Sequence, residues 1–249
     1  MAREICFLGS GTIYAKQYGA AAARYRPIGN ASQLQLAIEE NQLRLNDFQN
    51  PGGGVACIVS RITQLTANVT AHNINGENLA LAFFGSASSI PTAAVVDESQ
   101  QAFLDSLVPL ENVGPTSVVV TDSGAATTYD EGTDYTVKPG GIFIPEDSTI
   151  ADDSAILVDY SHPDYQRVGA LTDSAPELSL VFDGLNEADE GRPVRITLHR
   201  VKFSPAASTD IIGEDFAGLQ LPAELLSDPL RTGTGESKFF TWEYAEPDA

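Results

Sequence analysis

Apolar and polar residues alternate along several segments of the chain. The alternation has a period of two in residues 33–39, 65–72 and 194–198. Because successive side chains of a β-strand point to opposite faces of a sheet, each segment is predicted to be a strand with one apolar and one polar face. The apolar phase slips after His199 to Val201, which predicts a β-bulge in the third strand.

Helical signals are few. Asn75 precedes a glutamate, an apolar run and Gly85, a pattern typical of a short helix with an asparagine N-cap. Residues 97–107 form a second amphipathic segment, with Phe103, Leu104 and Leu107 on one side. That segment fits a helix or a strand followed by a turn.

Length and composition are typical of a folded chain without membrane-spanning segments. Its 249 residues, 43% of them hydrophobic, are enough for one sizeable core or two small ones. It has no apolar run of about 18 residues, and its N-terminus lacks the basic and apolar regions of a signal peptide. We therefore expect folding in a cytoplasm. Cys6 and Cys57 are expected to be free, buried thiols because a reducing compartment disfavours a disulfide.

The acidic charge is concentrated in the middle of the chain. Residues 88–168 carry 14 acidic and 2 basic residues, a net charge of −12 out of −20 for the whole chain. No lysine or arginine occurs from Ile62 through Val137. Because cationic side chains provide most of the affinity of a protein for nucleic acid, we do not expect tight binding of DNA or RNA.

The acidic middle is predicted to be an inserted β subdomain. It begins after a stretch rich in glycine, alanine, serine and proline (85–94), and short β-rich runs separated by turns follow, including the turn at Pro139. We assign residues 88–168 to the insertion and residues 1–87 with 169–249 to a discontinuous frame. Residues 1–28 carry few signals for a self-contained fold and are expected to be an N-terminal arm that packs on a neighbouring subunit.

Motifs for catalysis or cofactor binding are incomplete. Gly9-Ser-Gly11 begins like a dinucleotide fingerprint but has Tyr14 at the third glycine position, so a glycine turn is predicted. Residues 52–54, all glycine, lack the ending of a P-loop and are predicted to be a loop. The three histidines are scattered, Ser161-His162 is too close to Asp164 in sequence for a triad, and the acidic clusters are expected to be solvated. We therefore predict no enzyme activity, no cofactor and no metal site.

Short motifs in a fixed order resemble one family. They are Gly29-Asn30, a turn at Glu39-Glu40, Asn78-Leu79 after the threonine-rich strand, Gly184-Leu-Asn186 and Phe203-Ser-Pro205. In order and spacing the chain resembles the major tail tube protein of long-tailed, siphovirus-type bacteriophages, interrupted by the insertion.

The resemblance implies a mainly β fold and a structural role in the virion. Such subunits form a β-sandwich with a flanking α-helix and join as hexameric rings whose strands close an inner β-barrel. The rings stack into the tail tube that conducts DNA into the host, and DNA passes without specific binding. Tail terminator, tape measure and distal tail proteins are the implied partners. The implied localisation is the virion tail, assembled in the host cytoplasm without a membrane.

Polar rows on the predicted strands are candidates for the channel wall. A strand whose apolar row enters the sandwich turns its other row outward or into the lumen. The candidate lumen-facing residues are Gln33, Gln35, Glu39, Thr66, Asn68 and Thr70. The same alternation is expected of a monomeric sandwich with one wet face, so periodicity does not choose between the two.

Two other functions remain open. The inner tube of a contractile tail or injection machine shares the fold and would have a sheath gene next door. A carbohydrate-binding β-sandwich needs exposed aromatic side chains, whereas Trp242 belongs to a predicted terminal strand that is typical of packing.

Overall fold

β-Strands make up nearly all of the regular structure. The computed structural model describes residues 5–20, 22–206, 208–209 and 211–246. In chain order the elements are β1 (Gly9–Gln17), β2 (Arg26–Gly29), β3 (Ala31–Asn46), β4 (Val55–Ala71), α1 (Gly76–Ala82), β5 (Ser86–Ile90), β6 (Ala93–Ala102), β7 (Ser106–Pro109), β8 (Thr116–Asp122), β9 (Thr128–Tyr129), β10 (Thr136–Lys138), β11 (Gly141–Ile144), β12 (Ser154–His162), β13 (Tyr165–Gly169), β14 (Glu177–Asn186), β15 (Arg192–Phe203), β16 (Leu219–Leu225) and β17 (Phe240–Tyr244). The predicted mainly β fold is confirmed.

The chain divides into two compact units. Unit 1 comprises Met1–Ala87 and Val168–Ala249, and unit 2 comprises Ser88–Arg167. Strands β5 and β13 span the two boundaries and pair with each other in a two-stranded sheet. Each unit has its own cluster of buried apolar side chains.

Unit 1 contains one sheet of eight strands. Its order is β2-β1-β14-β15-β16-β4-β3, and β17 pairs with β15. Strand β15 pairs with β17 from Val194 to Leu198 and with β16 from Val201 to Phe203. Between Leu198 and Val201 its register against β14 shifts by one residue, so the predicted bulge is confirmed. A bulge bends a strand, and here it marks the point where β15 passes from one set of neighbours to the other.

The sheet encloses a single apolar core. Buried side chains of β1, β14 and β15 cluster with those of β4 and β16, among them Leu180, Leu198, Val69 and Leu221. Strands β1, β14 and β15 therefore pack their apolar faces against those of β4 and β16. The opposite faces of these strands are left to solvent. Leu34 and Leu36 of β3 pack against this core only in part.

The predicted short helix is confirmed. The side chain of Asn75 accepts a hydrogen bond from the Asn78 amide at the N-terminus of α1. Asn78 is buried, and its Nδ2 donates to the carbonyl oxygens of Ile28 at 2.7 Å and Asn73 at 2.6 Å. These bonds tie the helix to β2 and explain the asparagine of the Asn78-Leu79 motif, because a buried amide needs partners.

No helix in the described part of the chain has the length and apolarity to cross a membrane.

The expected N-terminal arm over residues 1–28 is wrong for most of its length. Residues 9–17 form β1, which lies inside the sheet between β2 and β14 and is paired along its whole length. The expected glycine turn is therefore a strand. A Cβ on Gly11 would come within 2.4 Å of the Asp183 carbonyl oxygen, so glycine is required by close backbone approach. Truncation of residues 1–20 would remove a sheet strand and is not expected to leave a folded protein.

Unit 2 is built from a four-stranded sheet, β6-β12-β8-β9, and a three-stranded sheet, β10-β11-β7. The predicted run of short strands and turns is confirmed, and residues 97–107 are strand and turn, because β6 ends at Ala102 and β7 begins at Ser106. Val120, Ile142, Ile156 and Val158 are fully buried in its core.

The expectation of two buried thiols is half right. Cys6 and Cys57 are free, but both are exposed. Cys6 precedes β1, and Cys57 lies in the outer half of β4, whose side chains are exposed on both faces.

Excision of unit 2 should leave unit 1 folded. We predict that replacing residues 91–164 with a short glycine-serine turn between β5 and β13 preserves a cooperative thermal transition and a β-type far-UV circular dichroism spectrum. The reason is that each unit buries its own core. A chain without a thermal transition would show that unit 1 depends on unit 2 for stability.

Candidate functional site

The structure places the six predicted lumen residues on one face of unit 1. Gln33 pairs with Thr70 and Gln35 with Asn68, while Thr66 pairs with Ala37 and Glu39 with Gln64. Directly paired residues of an antiparallel ladder point to the same side. Strand β16 extends this face, because Gln220 pairs with Thr70 and Glu224 with Thr66. The resulting polar strip consists of Gln33, Gln35, Glu39, Thr66, Asn68, Thr70, Gln220 and Glu224.

The polar strip is uncharged or acidic. Its charged members are two glutamates, and it contains no lysine or arginine. Thr70 Oγ1 donates to Gln33 Oε1 at 3.4 Å, across the pair of strands. A face of amides, hydroxyls and carboxylates offers hydrogen bonds without the cations that hold phosphate groups.

Beyond the strip, β3 and β4 continue as a hairpin that leaves the sheet. The predicted turn at Glu39-Glu40 is wrong: the two strands go on pairing to Asn46 and Val55, with register shifts at Glu39/Glu40 and at Leu45/Asn46. We call residues 40–62 the hairpin arm. Its seven residues of β3 extend about 24 Å. From Glu40 to Thr63 every residue except Asp47 is exposed.

The tip of the hairpin arm is an ordered turn. The predicted glycine loop is confirmed, because residues 52–54 all have positive φ angles and connect the two strands. Hydrogen bonds from the Asn50 side chain and the Gln49 amide hold the Asp47 carboxylate and lower its pKa. The Asp47 amide in turn donates to the Gly54 carbonyl oxygen at 2.8 Å.

One face of the hairpin arm is apolar. Leu43 pairs with Val59 and Leu45 with Cys57, and these four residues form what we call the apolar quartet. Leu43, Leu45 and Val59 are 58%, 57% and 50% exposed. Side chains alternate between the two faces of each strand, and the register shift at Glu39 keeps β3 and β4 in step beyond it. The quartet therefore lies on the same face as the polar strip.

The opposite face of the hairpin arm has its polar groups satisfied. Gln42 Nε2 donates to Glu40 Oε1, and Arg44 donates to Gln42 Oε1 at 2.9 Å. Across from them lie Ser60, Ile58 and Ile62, the last two of which are exposed. The chain therefore exposes apolar side chains along the arm without covering them itself, and such surfaces mark interaction sites.

The terminal strand carries a half-exposed aromatic pair. Trp242 of β17 contacts Phe7 edge to face, with ring centroids 5.2 Å apart and an angle of 66° between the rings. Arg195 donates to Glu243 at 2.6 Å, which fixes β17 on β15 and lowers the pKa of the Glu243 carboxyl. The expected terminal strand is confirmed, but Trp242 is 47% exposed and so is only partly a packing residue.

The histidines do not form a catalytic or metal-binding group. His162 is buried, and its Nδ1 donates to the Pro163 carbonyl oxygen at 2.8 Å. In a catalytic triad this nitrogen would have to donate to Asp164, so the hydrogen bond to Pro163 takes the place of that contact. His199 is buried in the bulge of β15, where desolvation lowers its pKa. His72 contacts Ser32 and the Ala217 backbone. In the residues that the structure describes, no three histidine, cysteine or acidic side chains are grouped to hold a metal ion.

Lysine substitutions should convert the polar strip into a DNA-binding surface. We predict that Thr66→Lys, Asn68→Lys and Thr70→Lys together give measurable affinity for duplex DNA, since three cations on one face release counterions from the phosphates. Fluorescence anisotropy at several salt concentrations measures this, with a slope of log K against log salt of about −0.9 per phosphate contact. The matched control carries glutamine at the same three positions and should not bind. A lysine variant that folds but does not bind DNA would show that the three positions do not form one accessible surface.

Comparison with known proteins identifies one family. No curated protein matches the chain. A family model described as "Protein of unknown function UCP028589" matches residues 6–243, which include all of unit 2 and nearly all of the described part of unit 1. The chain belongs to this family.

Proposed function

We propose that the protein is a self-assembling structural subunit, the tail tube protein of a long-tailed phage, whose hexameric rings stack into a DNA-conducting tube. The observation that carries the proposal is the hairpin arm, which projects from the sheet with its apolar quartet exposed. In a monomeric sandwich with one solvated face, the apolar side chains of such an arm would stay exposed to water. In a subunit that docks its arm on a neighbour, these side chains would be buried.

Docking of the arm would supply repeated, moderate stabilisation. Burial of the three largest side chains of the quartet, each about half exposed, would contribute on the order of 1 kcal/mol each. A ring or stack repeats this contribution in every subunit. Assembly through many weak, identical contacts of this kind is cooperative and depends on protein concentration.

The free edge of the sheet offers a second contact. Strand β3 is the last strand in the sheet order and is 16 residues long, so one side of its backbone has no partner strand among the described residues. Long unprotected edges favour pairing with another chain. Pairing between subunits along β3 would close the sheets of a ring into the inner barrel that the resemblance implies.

The polar strip suits the wall of a DNA channel. It lies on the outward face of β3, β4 and β16 and carries two carboxylates, and the cations on that face flank the strip, because Lys202 pairs with Glu224 and Arg61 pairs with Asn41. Like charges repel the phosphates, and the strip itself has no lysine or arginine to retain DNA. In this proposal the strip faces the lumen, and tail terminator, tape measure and distal tail proteins contact the ends and interior of the tube.

The acidic unit 2 would lie on the outside of the tube. Its charged residues, 14 acidic and 2 basic, give it a net charge of −12. Charge of one sign on the surface keeps large assemblies apart in solution. We propose that this repulsion keeps tubes from clumping in the host cytoplasm. The inner tube of a contractile machine would use the same features, and a neighbouring sheath gene would distinguish it.

Carbohydrate binding is a second candidate, favoured by the exposed rings of Phe7, Trp242 and Tyr244. The arrangement of the rings favours an apolar partner instead. Phe7 meets Trp242 edge to face, so the pair forms a ridge and not the flat ring surface on which a sugar stacks. Titration with oligosaccharides, followed by tryptophan fluorescence, tests this candidate directly.

The proposed function predicts tubes or rings that depend on the arm. Purified protein should form hexameric rings or hollow tubes in negative-stain micrographs. Leu43→Asp with Val59→Asp should leave monomers, because two carboxylates would have to be buried in each contact. Sedimentation velocity measures the distribution of species.

The matched control places the same charges on the other face of the arm. Gln42 and Ser60 are also directly paired, so Gln42→Asp with Ser60→Asp adds two carboxylates only one residue farther from the tip. This variant should assemble. Wild-type protein that remains monomeric over a wide range of concentration and salt would contradict the proposed function.

A further inference from the structure

Two apolar hollows flank the Phe7–Trp242 pair. The larger, of about 480 Å³, is lined by Leu34 and Leu36 of β3 and by Phe182 and Ile196 of the facing strands, and at the edge of β3 it also touches Gln33 and Gln35 at the margin of the polar strip. The smaller, of about 240 Å³, is lined by the apolar side chains of Ile5, Val194 and Tyr244 and by the polar residues Asn186, Asp189 and Arg192. Phe7 and Trp242 line both hollows and form the ridge between them. We call the ridge and its two hollows the aromatic cleft.

Polar contacts position the chain on both sides of the aromatic cleft. Asn186 is buried, and its side chain donates to the Cys6 carbonyl oxygen at 2.8 Å and accepts from the Leu8 amide at 2.9 Å. This fixes Phe7 against the end of β14. The ion pair of Arg195 with Glu243 fixes Trp242 on the opposite side. Because the residues around the cleft are already ordered, binding there costs little conformational entropy.

Residues of the core line the cleft. The larger hollow reaches Leu36 of the edge strand β3 and Ile196 of β15, which pairs with Trp242 of the edge strand β17. Phe7 remains 49% exposed and Trp242 47% exposed. Within one chain the hairpin arm does not cover this surface, because the apolar quartet is itself half exposed.

We propose that the apolar quartet of one copy docks in the aromatic cleft of a second copy. This inference rests on the proposed function and names the surface that receives the arm. One cross-strand pair of the quartet, Leu43 with Val59, enters the larger hollow, and the other, Leu45 with Cys57, enters the smaller.

The quartet and the aromatic cleft each have two parts. Residues i and i+2 of a strand are about 7 Å apart, and directly paired side chains are about 5 Å apart. The quartet thus presents two pairs of side chains separated by one gap. The aromatic cleft likewise presents two hollows, one on each side of the Phe7–Trp242 ridge.

Charge also permits this contact. Residues 40–62 contain Glu40, Asp47, Arg44 and Arg61, two acidic and two basic residues, so the arm has no net charge. The whole chain carries −20. A neutral arm can approach a second acidic copy without the repulsion that opposes most other pairs of surfaces.

The contact is head to tail. Each chain has one quartet and one aromatic cleft, and these are different surfaces. An interface of this type generates a closed ring when the rotation closes and an open filament when it does not. Both outcomes are consistent with stacked rings.

The two native cysteines report this contact. Cys57 belongs to the apolar quartet, and Cys6 directly precedes Phe7 in the aromatic cleft; both thiols are exposed and free. In the proposed contact, Cys57 of one copy therefore lies near Cys6 of the next. A bis-maleimide with a flexible spacer joins two such thiols by alkylation, and denaturing electrophoresis displays the products.

Wild-type protein should give a ladder of covalent oligomers, because every chain contributes both thiols. Cys6→Ser alone and Cys57→Ser alone should give no covalent species. An equal mixture of the two single variants should give dimers only, joined between Cys57 and Cys6, as peptide mass spectrometry would identify. Adding Leu43→Asp to the Cys6→Ser chain should lower the dimer yield about tenfold or more.

Each other result overturns the inference in a distinguishable way. Dimers from Cys6→Ser alone would mean that arms contact arms. Wild-type protein that assembles by light scattering, while the mixture gives no dimer, would place the arm elsewhere and leave the proposed function standing. Wild-type protein that does not assemble would reject both. An oligosaccharide that quenches Trp242 fluorescence, with no dimer in the mixture, would assign the aromatic cleft to a sugar.

Discussion

The pairing of β3 with β4 is the interaction on which the rest of the structure depends. The two strands stay in register, apart from local shifts, from residues 31 and 71 to residues 46 and 55, well beyond the reach of the sheet that holds them. Their inner half supplies Leu65, Ala67 and Val69 to the core of unit 1. Their outer half has no layer to pack on. One continuous ladder therefore connects a folded core, a polar face and an exposed apolar arm, and burying that arm requires another molecule.

Most of the fold follows from short-range rules. The period of two in residues 65–71 was sufficient to predict both the strand and its buried face, since Leu65, Ala67, Val69 and Ala71 are all buried. The phase slip after His199 correctly located the bulge, and Asn75 correctly located the start of the helix. The six candidate residues lie on one face because polar and apolar residues alternate along β3 and β4, and the pairing of the two strands places their polar rows on the same side. That this face lines a channel remains a prediction.

The remaining features depend on partners distant in sequence. Residues 9–17 gave no strong strand signal, because β1 uses glycines where the backbone of β14 comes close, and glycine has low β-propensity. The hairpin arm was missed because the Glu39-Glu40 pair was interpreted as a turn. A signal was present, since Leu43 and Leu45 continue the alternation toward the glycine loop. The exposure of Trp242 could not be predicted, because it depends on how the two halves of the sheet meet.

Fluorescence of Trp242, the only tryptophan in the chain, tests the central claim most directly. The claim is that assembly buries the hairpin arm of one copy in the aromatic cleft of another. As protein concentration rises, the emission of Trp242 should shift to the blue and its quenching by acrylamide should fall, with the same midpoint as the rise in light scattering. Assembly that leaves both the emission and the quenching of Trp242 unchanged would contradict the account.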